Sequence, residues 1–534
     1  MQASKMDCDV VVIGSGAGGL AAALPLAQAG KSVIVVEQHN VPGGLCHSFK
    51  HDGHRYSPGV HYIGQLGHGE SMREVYEGLG IAKYMRFHEM NPKAYEHFNV
   101  AGTCVDVPAG KAAVIQSFQA AFPKESKNIA LYFELLDTIN RQIQTLQVIS
   151  SVKDVLLLPW RIRHLIRYGL FSLERRLNSL FEDTTLKTLL AMQCGDHGLP
   201  PSKAPFAMHA AVAGHYLTGA YYPEGGGRSL PRAFVKGLQA AGGQLMLSTS
   251  VSKILTESTP NGLKASGVEL ADGRIIHAQY VVSNATPEVT FEQLMDASTL
   301  SEKFQQKLAA SHYTVAPLML YLSTDLALEE LGYDSGNYWY SASADPEAFY
   351  RNIHDPKVLT QESYPGVFLG ITSLKDPATF KNNQHVIEVV SFIDYQLFEP
   401  WKDSQFQHRP DDYYALKEHL KTSLLNAADN IIPSLSDHII SCEVSTPLSN
   451  EYYVRATRGS SYGTEKTLNN LGPKGYQNKT EVENLWLCGA STIAHGISGA
   501  TGSGIAAAAY ILKCRSKELL KDTGQTLTVI PFDS

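Results

Sequence analysis

The stretch SPGVHYIG, residues 57–64, sets His61 and Tyr62 between Gly59 and Gly64 among apolar residues. An imidazole titrates near neutral pH and a phenol can donate a proton, so the pair offers acid–base chemistry. A second pair, His215-Tyr216, closes the stretch HAAVAGHY. The competing reading for His61 and Tyr62 is a satisfied place in the core. Five histidines, 47, 51, 54, 61 and 68, fall within 22 residues, which raises a metal site. They lack a helical histidine pair with a carboxylate partner, and no cysteine pair joins them, so no metal is expected.

The elements that must position these groups begin at the N-terminus. Residues 10–37 read VVVIGSGAGGLAAALPLAQAGKSVIVVE: a β-branched run, Gly14-x-Gly16-x-x-Gly19, an Ala/Leu-rich helix and a second β-branched run ending in Glu37. This is a βαβ unit carrying a dinucleotide fingerprint. Gly14 permits the tight turn, Gly16 lets a pyrophosphate reach the backbone, and Gly19 lets helix and strand approach. The helix start, with Ala17 and Gly18, offers free N–H groups and a positive dipole end to phosphate. Glu37, 23 residues after Gly14, can accept from a ribose hydroxyl. Pro25 lies inside this helix and should kink or shorten it. A second glycine pair, Gly43-Gly44, followed by Leu45, lets backbone approach a cofactor that runs past the adenosine. That context favours FAD over NAD, and no second GxGxxG follows a strand elsewhere, so a separate NAD(P)H domain is not expected.

The far end closes the same site. Residues 485–510, LWLCGASTIAHGISGATGSGIAAAAY, read as a short strand, a Gly-rich turn and an Ala-rich helix. Backbone N–H groups at that helix start can face the electron-rich edge of an isoalloxazine. Gly489, Ala490, Ser498, Gly499 and Ala500 are the candidates, against a plain helix cap as the alternative. In the middle, YYPEGGGRSLPRAF gives a Gly-rich turn and a helix. A strand follows around residues 245–247, and then a hairpin turning at Asp272-Gly273. The expected fold class is α/β, a Rossmann-type FAD-binding domain with an inserted α+β substrate domain. The cofactor domain would be discontinuous, using residues 1–90, 220–290 and 480–515, and residues 91–219 and 291–479 would form the substrate domain.

Three segments carry a resemblance: GGLCHSFKHDGHRYSPGVHYIG, CGDHGLPPSKAPFAMHAAVAGHYLTGAYYPEGG and EYYVRATRGSSYGTEKT. They look like the corresponding parts of the retinol saturase, carotenoid isomerase and phytoene desaturase flavoproteins, over most of the chain. Two departures stand out. Many relatives have an aspartate in a Phe-Asp-x-Gly pattern where this chain has Tyr56-Ser57-Pro58-Gly59. The turn IAHGISGA also differs from the Pro-Gly-Gly-rich version of many desaturases. The resemblance implies FAD and chemistry on carbon–carbon double bonds of an apolar polyene or isoprenoid. Saturation leads, and cis–trans isomerisation or desaturation are the alternatives. It implies His61, Tyr62, His215 and Tyr216 as candidate proton donors bordering the flavin, Val60 beside it, and Val251 with a backbone group on the adenine. Arg458 could pair with a substrate head group or the cofactor, or lie on the surface. A non-enzymatic prenyl-binding escort protein has a similar fold, but the intact glycines and Glu37 argue for a cofactor. The electron donor is unknown.

The totals agree with this class. The chain has 534 residues, 44% hydrophobic and 18% charged, which suits a large globular enzyme. A net charge of −7 argues against nucleic acid as a partner. Seven cysteines, with no CxxC, suit a reducing compartment. No signal peptide, no membrane-spanning run of about 18 apolar residues and no terminal lipidation signal is expected. A cytoplasmic, non-secreted protein follows from these readings. Within it, KDVLLLPWRIRHLIRYGLFSLERR, residues 153–176, has six basic and two acidic residues, a local charge of +4. It reads as an amphipathic basic helix, a candidate for docking on the cytoplasmic face of a membrane. A core helix with a solvated basic face is the alternative.

Overall fold

The computed structural model describes residues 7–146, 152–260 and 262–533. Its first sheet has seven strands, built on the β-branched runs. They are β1 (Cys8–Ile13), β2 (Val33–Val36), β3 (Gln244–Met246), β4 (Val251–Thr259), β5 (Gly262–Leu270), β6 (Ile275–Ser283) and β7 (Leu485–Leu487). The order is β4-β5-β6-β1-β2-β3, with β7 also on β6. The strands β6, β1, β2 and β3 run parallel, and β7 is parallel to β6. Val10, Val11 and Val12 are fully buried, because both faces of this part of the sheet are covered, which explains a continuous apolar run rather than alternation. The β4-β5 and β5-β6 pairs are antiparallel, and Gly273 turns the second of them at φ +84°.

Helix α1 (Ala17–Gln28) crosses from β1 to β2 and is almost wholly buried. Pro25 lies within it and the helix ends three residues later at Gln28, as expected of a residue that cannot donate to the preceding turn. Three further helices matter to the site: α2 (Phe206–Tyr216), α3 (Ser229–Ala240) and α4 (Gly496–Leu512). A Cβ on Gly504 of α4 would lie 2.1 Å from the Gly18 carbonyl oxygen, so α4 meets α1 backbone to backbone.

A second seven-stranded sheet packs the other large core. Its order is residues 439–445, 316–324, 385–393, 366–371, 337–341, 96–100 and 103–107. It is mainly antiparallel, with one parallel pair between residues 96–100 and 337–341. Residues 528–530 return to pair with residues 86–89, which pair in turn with residues 221–223. An isolated bridge between Ile63 and Tyr221 anchors the SPGVHYIG stretch to this small sheet.

Residues 153–176 are not one helix. The chain forms a helix over Val152–Arg161, a π-helical turn over Leu165–Gly169 and a new helix over Leu173–Leu180. Pro159 and Gly169 account for the interruption. Leu165 and Leu173 turn inward. Leu157, Trp160, Ile166 and Leu170 are exposed, Trp160 by 69%. The side chains of residues 153–156, Leu156 included, lie outside the described residues. Among the described residues no helix is long and apolar enough to cross a membrane.

Candidate functional site

The fingerprint turns at Gly14, with φ +88°. A Cβ on Gly19 would sit 2.0 Å from the Gly14 carbonyl oxygen, so helix and strand touch there. The first turn of α1 carries no acid, and its leading N–H groups have no partner within the helix. Glu37, at the end of β2, is buried. One of its carboxylate oxygens accepts from the Ser15 N–H (2.8 Å) and hydroxyl (2.7 Å), the other from the His39 N–H (2.8 Å). Ser15 Oγ in turn accepts from the Gly43 N–H at 3.1 Å, tying the second glycine pair to the first. A Cβ on Gly44 would come within 3.3 Å of Gly16 Cα. Ser248 and Thr249, just before Val251, donate to the His39 and Glu37 carbonyls, so the start of β4 lies against the acidic end of β2.

The C-terminal turn meets this loop. Gly489 has φ +93°, and Ser498, Gly499 and Ala500 fall in the first turns of α4. Asn284, directly after β6, joins the two halves. A Cβ on Gly16 or Gly18 would be 2.6 Å from its amide atoms, and one on Gly489 2.7 Å from Asn284 Oδ1. The glycines therefore let two turns close around the Asn284 side chain, beside the start of α1 and the buried Glu37 carboxylate. That arrangement fits a dinucleotide. The sequence reading missed Asn284, although its position right after a buried parallel strand is where open α/β sheets bind ligands.

The two glycines of the opening stretch serve the protein's own packing. A Cβ on Gly64 would lie 1.9 Å from the His215 carbonyl oxygen, and one on Gly59 3.0 Å from the Leu45 carbonyl oxygen. Val60 is fully buried against Gly227. The Gly64 N–H donates to His215 Nε2 at 3.0 Å. Burial pushes His215 down to about 4, so its imidazole stays neutral and positions Gly64. His61 Nδ1 pairs with Glu388 Oε2 at 2.9 Å, and the other oxygen of Glu388 accepts from the Ser57 N–H at 2.6 Å. Lys375, fully buried, donates to the His61 carbonyl at 3.1 Å and to the Asn337 side chain. Burial lowers Lys375 to about 8, with Glu388 and Glu96 opposing the shift.

Tyr62 stacks on Tyr216 with ring centroids 4.1 Å apart, so the fold brings together the two tyrosines that the sequence places far apart. The Tyr62 hydroxyl donates to Asp196 Oδ2 at 2.7 Å. Beyond it lies Glu96, with no exposure, whose Oε2 accepts from Trp339 Nε1 at 2.5 Å. Burial, reinforced by Asp196, raises the Glu96 carboxyl to about 8, and burial raises Asp196 to about 7. Tyr62 is held well above the ordinary phenol range by burial and then by these two acids. The sequence reading missed both acids. Glu96 carried a signal, because it alternates inward with Phe98 and Val100 along one strand. An apolar cavity lined by Tyr95, Phe98, Phe118, Leu136, Leu190 and Leu217 adjoins this strand.

Lys466 is also buried, and it donates to the Ser491 and Thr492 carbonyls at 2.6 Å each, fixing the turn before α4. Arg458 is exposed, near Glu288 and Asp394. The five clustered histidines do not converge: His47, His54 and His61 bind Gly44, Gln384 and Glu388 respectively. Among the described residues, Cys194, His197 and His209 form one compact buried group. There the Leu199 N–H occupies His197 Nδ1 at 3.3 Å, which leaves the ring proton on Nε2 and no free lone pair for a metal.

The family model for flavin containing amine oxidoreductases matches residues 17–344, and the chain belongs to that family. It is therefore a flavin-dependent oxidoreductase of α/β class. Within the family it is 28% identical over 527 residues to the all-trans-retinol 13,14-reductase of Danio rerio, covering 95% of this chain and 86% of that one. It is 23% identical over 518 residues to the chloroplastic prolycopene isomerase of Arabidopsis thaliana, covering 94% and 81%. The fold matches the crystal structure of an oxidoreductase from Methanosarcina mazei with a TM-score of 0.64, at 17% identity, over 93% of this chain and 99% of that one.

Proposed function

We propose that the protein binds FAD and reduces a carbon–carbon double bond of an apolar polyene, a retinoid or carotenoid-like isoprenoid. The observation that carries this reading is likeness along 95% of the chain to a reductase of all-trans-retinol. FAD would lie with its pyrophosphate at Gly14, Gly16, Ala17, Gly18 and Gly19, and its ribose at Glu37. Gly43, Gly44, Leu45 and Val60 would flank it, with Val251 at the adenine. The far ring would face Gly489, Ala490, Ser498, Gly499 and Ala500. Residues 1–90, 220–290 and 480–515 form the cofactor domain in this reading, and residues 91–219 and 291–479 the substrate domain. When bound and reduced, a flavin supplies a hydride to one alkene carbon. The chain's own residues do the rest. They exclude water with apolar walls, hold the polyene, and bring a proton to the neighbouring carbon from Tyr62. Tyr216 stacks behind that ring, His61 with Glu388 fixes the loop, and neutral His215 holds Gly64.

An apolar substrate must be collected from lipid. Trp160, Leu157, Ile166 and Leu170 would enter an anionic bilayer surface, and Arg161, Arg163 and Arg167 would meet its head groups. Arg163 already sits over the Trp160 ring at 5.0 Å.

The test is anaerobic turnover of dithionite-reduced enzyme with a panel of retinoids, carotenoids and polyunsaturated lipids, read by mass. A product heavier by two hydrogens is expected. Unchanged mass with altered retention replaces reduction by isomerisation. A product lighter by two hydrogens, seen only with oxidised enzyme, replaces it by desaturation. A colourless protein that takes up no FAD rejects the enzyme reading for a binding module.

A further inference from the structure

We propose that Glu96 and Asp196 together form a buried proton store that reloads the Tyr62 hydroxyl, the group that delivers the second hydrogen to the alkene. The inference rests on the double-bond reduction described above and adds the origin of the proton.

Three observations carry it. First, a phenol flanked by two carboxyls is a poor arrangement for holding a fold together. Asp196 accepts from Tyr62 at 2.7 Å, and Glu96 lies within interaction range of the same hydroxyl. Two ionised carboxylates sharing one dry site repel strongly, so the stable form of the pair retains a proton. Second, a single cation faces them, and it does not restore the ordinary carboxylate range of Glu96. The titratable groups facing the pair are Tyr62, Tyr95, Tyr216, Tyr350, Tyr462, Cys194 and Lys375. Of these only Lys375 is a cation, and it donates to the His61 carbonyl and the Asn337 side chain. Glu96 Oε1 is buried without a hydrogen-bond partner, as suits a carboxyl whose proton position is not fixed by a neighbour. Third, the pair is packed into one unit and tied to the segment that starts α4. A Cβ on Gly195 would lie 2.8 Å from the Trp339 ring that also holds Glu96. His197, next to Asp196 in sequence, interacts with His495, the residue capping α4.

The step balances as follows. The alkene π bond breaks and two C–H bonds form, one from the hydride and one from the Tyr62 proton. Tyr62 takes a proton from Asp196 as it loses its own, so no phenolate accumulates. For this the Asp196 O–H donates to the Tyr62 oxygen, the reverse of the resting polarity. Asp196 regains a proton from Glu96 through the Tyr62 hydroxyl that both acids face, and Glu96 regains its own from water. The electrons come from the two-electron reductant that recharges the flavin, dithionite in the test.

Two readouts decide it. In infrared titration of the resting holoprotein, a carboxylic-acid band should persist to near-neutral pH and fade between about 7 and about 8. Glu96→Gln and Asp196→Asn should each remove part of it. A wild-type protein with no such band near neutral pH overturns the store. In single turnovers, Asp196→Asn and Tyr62→Phe should slow polyene reduction by on the order of 10²-fold, with reduction of the enzyme by dithionite unchanged. The wild-type rate should fall as pH rises through the same window, and in Glu96→Gln that fall should move down to the Asp196 step near about 7. A normal melting curve for each isosteric variant separates these effects from misfolding. An Asp196→Asn enzyme with wild-type rate and pH profile overturns the relay. A wild-type enzyme that reduces no polyene overturns the delivery step along with the functional reading, and the infrared band then still decides whether the two acids hold a proton.

Discussion

The proposed cofactor cradle and the acid cluster are built from different materials. The cradle is mostly main chain: glycine backbone at 14, 16, 18, 43, 44 and 489, two helix N-termini, and only Glu37, Ser15 and Asn284 as side chains. The cluster is almost wholly side chain: Tyr62, Glu96, Asp196, Trp339, Lys375 and Glu388, drawn from six separate segments. A main-chain site tolerates no added atoms. A side-chain site tolerates replacements of like shape but is sensitive to charge, because each member is dry and depends on its neighbours.

That contrast can be broken at four points, in falling order of effect. Gly19→Val should abolish bound flavin, since even the first carbon would meet the Gly14 oxygen at 2.0 Å. Absorbance of the purified protein checks it, and a yellow, stable variant would reject the cradle. Glu388→Ala should cost about 3 kcal/mol of stability, by stranding the His61 ring and the Ser57 N–H in a buried site. Denaturant unfolding measures it, and Glu388→Gln should recover part of the loss.

Glu96→Gln should act on stability in a pH-dependent way. A carboxyl raised in the folded state favours folding at low pH. That advantage is lost as pH climbs from the ordinary value of 4.5 to the folded value of about 8. Wild-type melting temperature should therefore fall across this window more than that of Glu96→Gln, and equal slopes would mean that Glu96 is ionised in the fold. The mildest change is Trp160→Ala. A residue 69% exposed should alter stability by no more than about 0.5 kcal/mol. Its loss should nonetheless weaken sedimentation with vesicles containing anionic lipid. Undiminished binding would place the membrane contact elsewhere.

Much of the cradle was legible in the sequence, and the reason is local. A phosphate-binding turn needs glycines at fixed spacing between a buried strand and a helix, so Gly14 to Glu37 spell it out within one βαβ unit. The Gly43-Gly44 pair and the Gly489 turn were readable for the same reason. Residues 153–176 show the limit of periodicity: a continuous basic amphipathic pattern folds into three pieces because Pro159 and Gly169 interrupt it. His61 and Tyr62 stood out by residue type. Their glycine neighbours, Gly64 and Gly59, meet the His215 and Leu45 backbones, which spacing along the chain does not show.

The sequence by itself determined the α/β class, the flavin chemistry and the strand-turn-helix units that hold it, because each of these rests on spacing along a single segment. Only the tertiary structure decided that Tyr62 stacks on Tyr216 and donates to Asp196, that Glu96 lies beside them, and that Asn284 bridges the two glycine turns. Those contacts join residues as far apart in the chain as Gly16 and Asn284. Their proton affinities arise from burial, which exists only once the two sheets and their helices have closed around them.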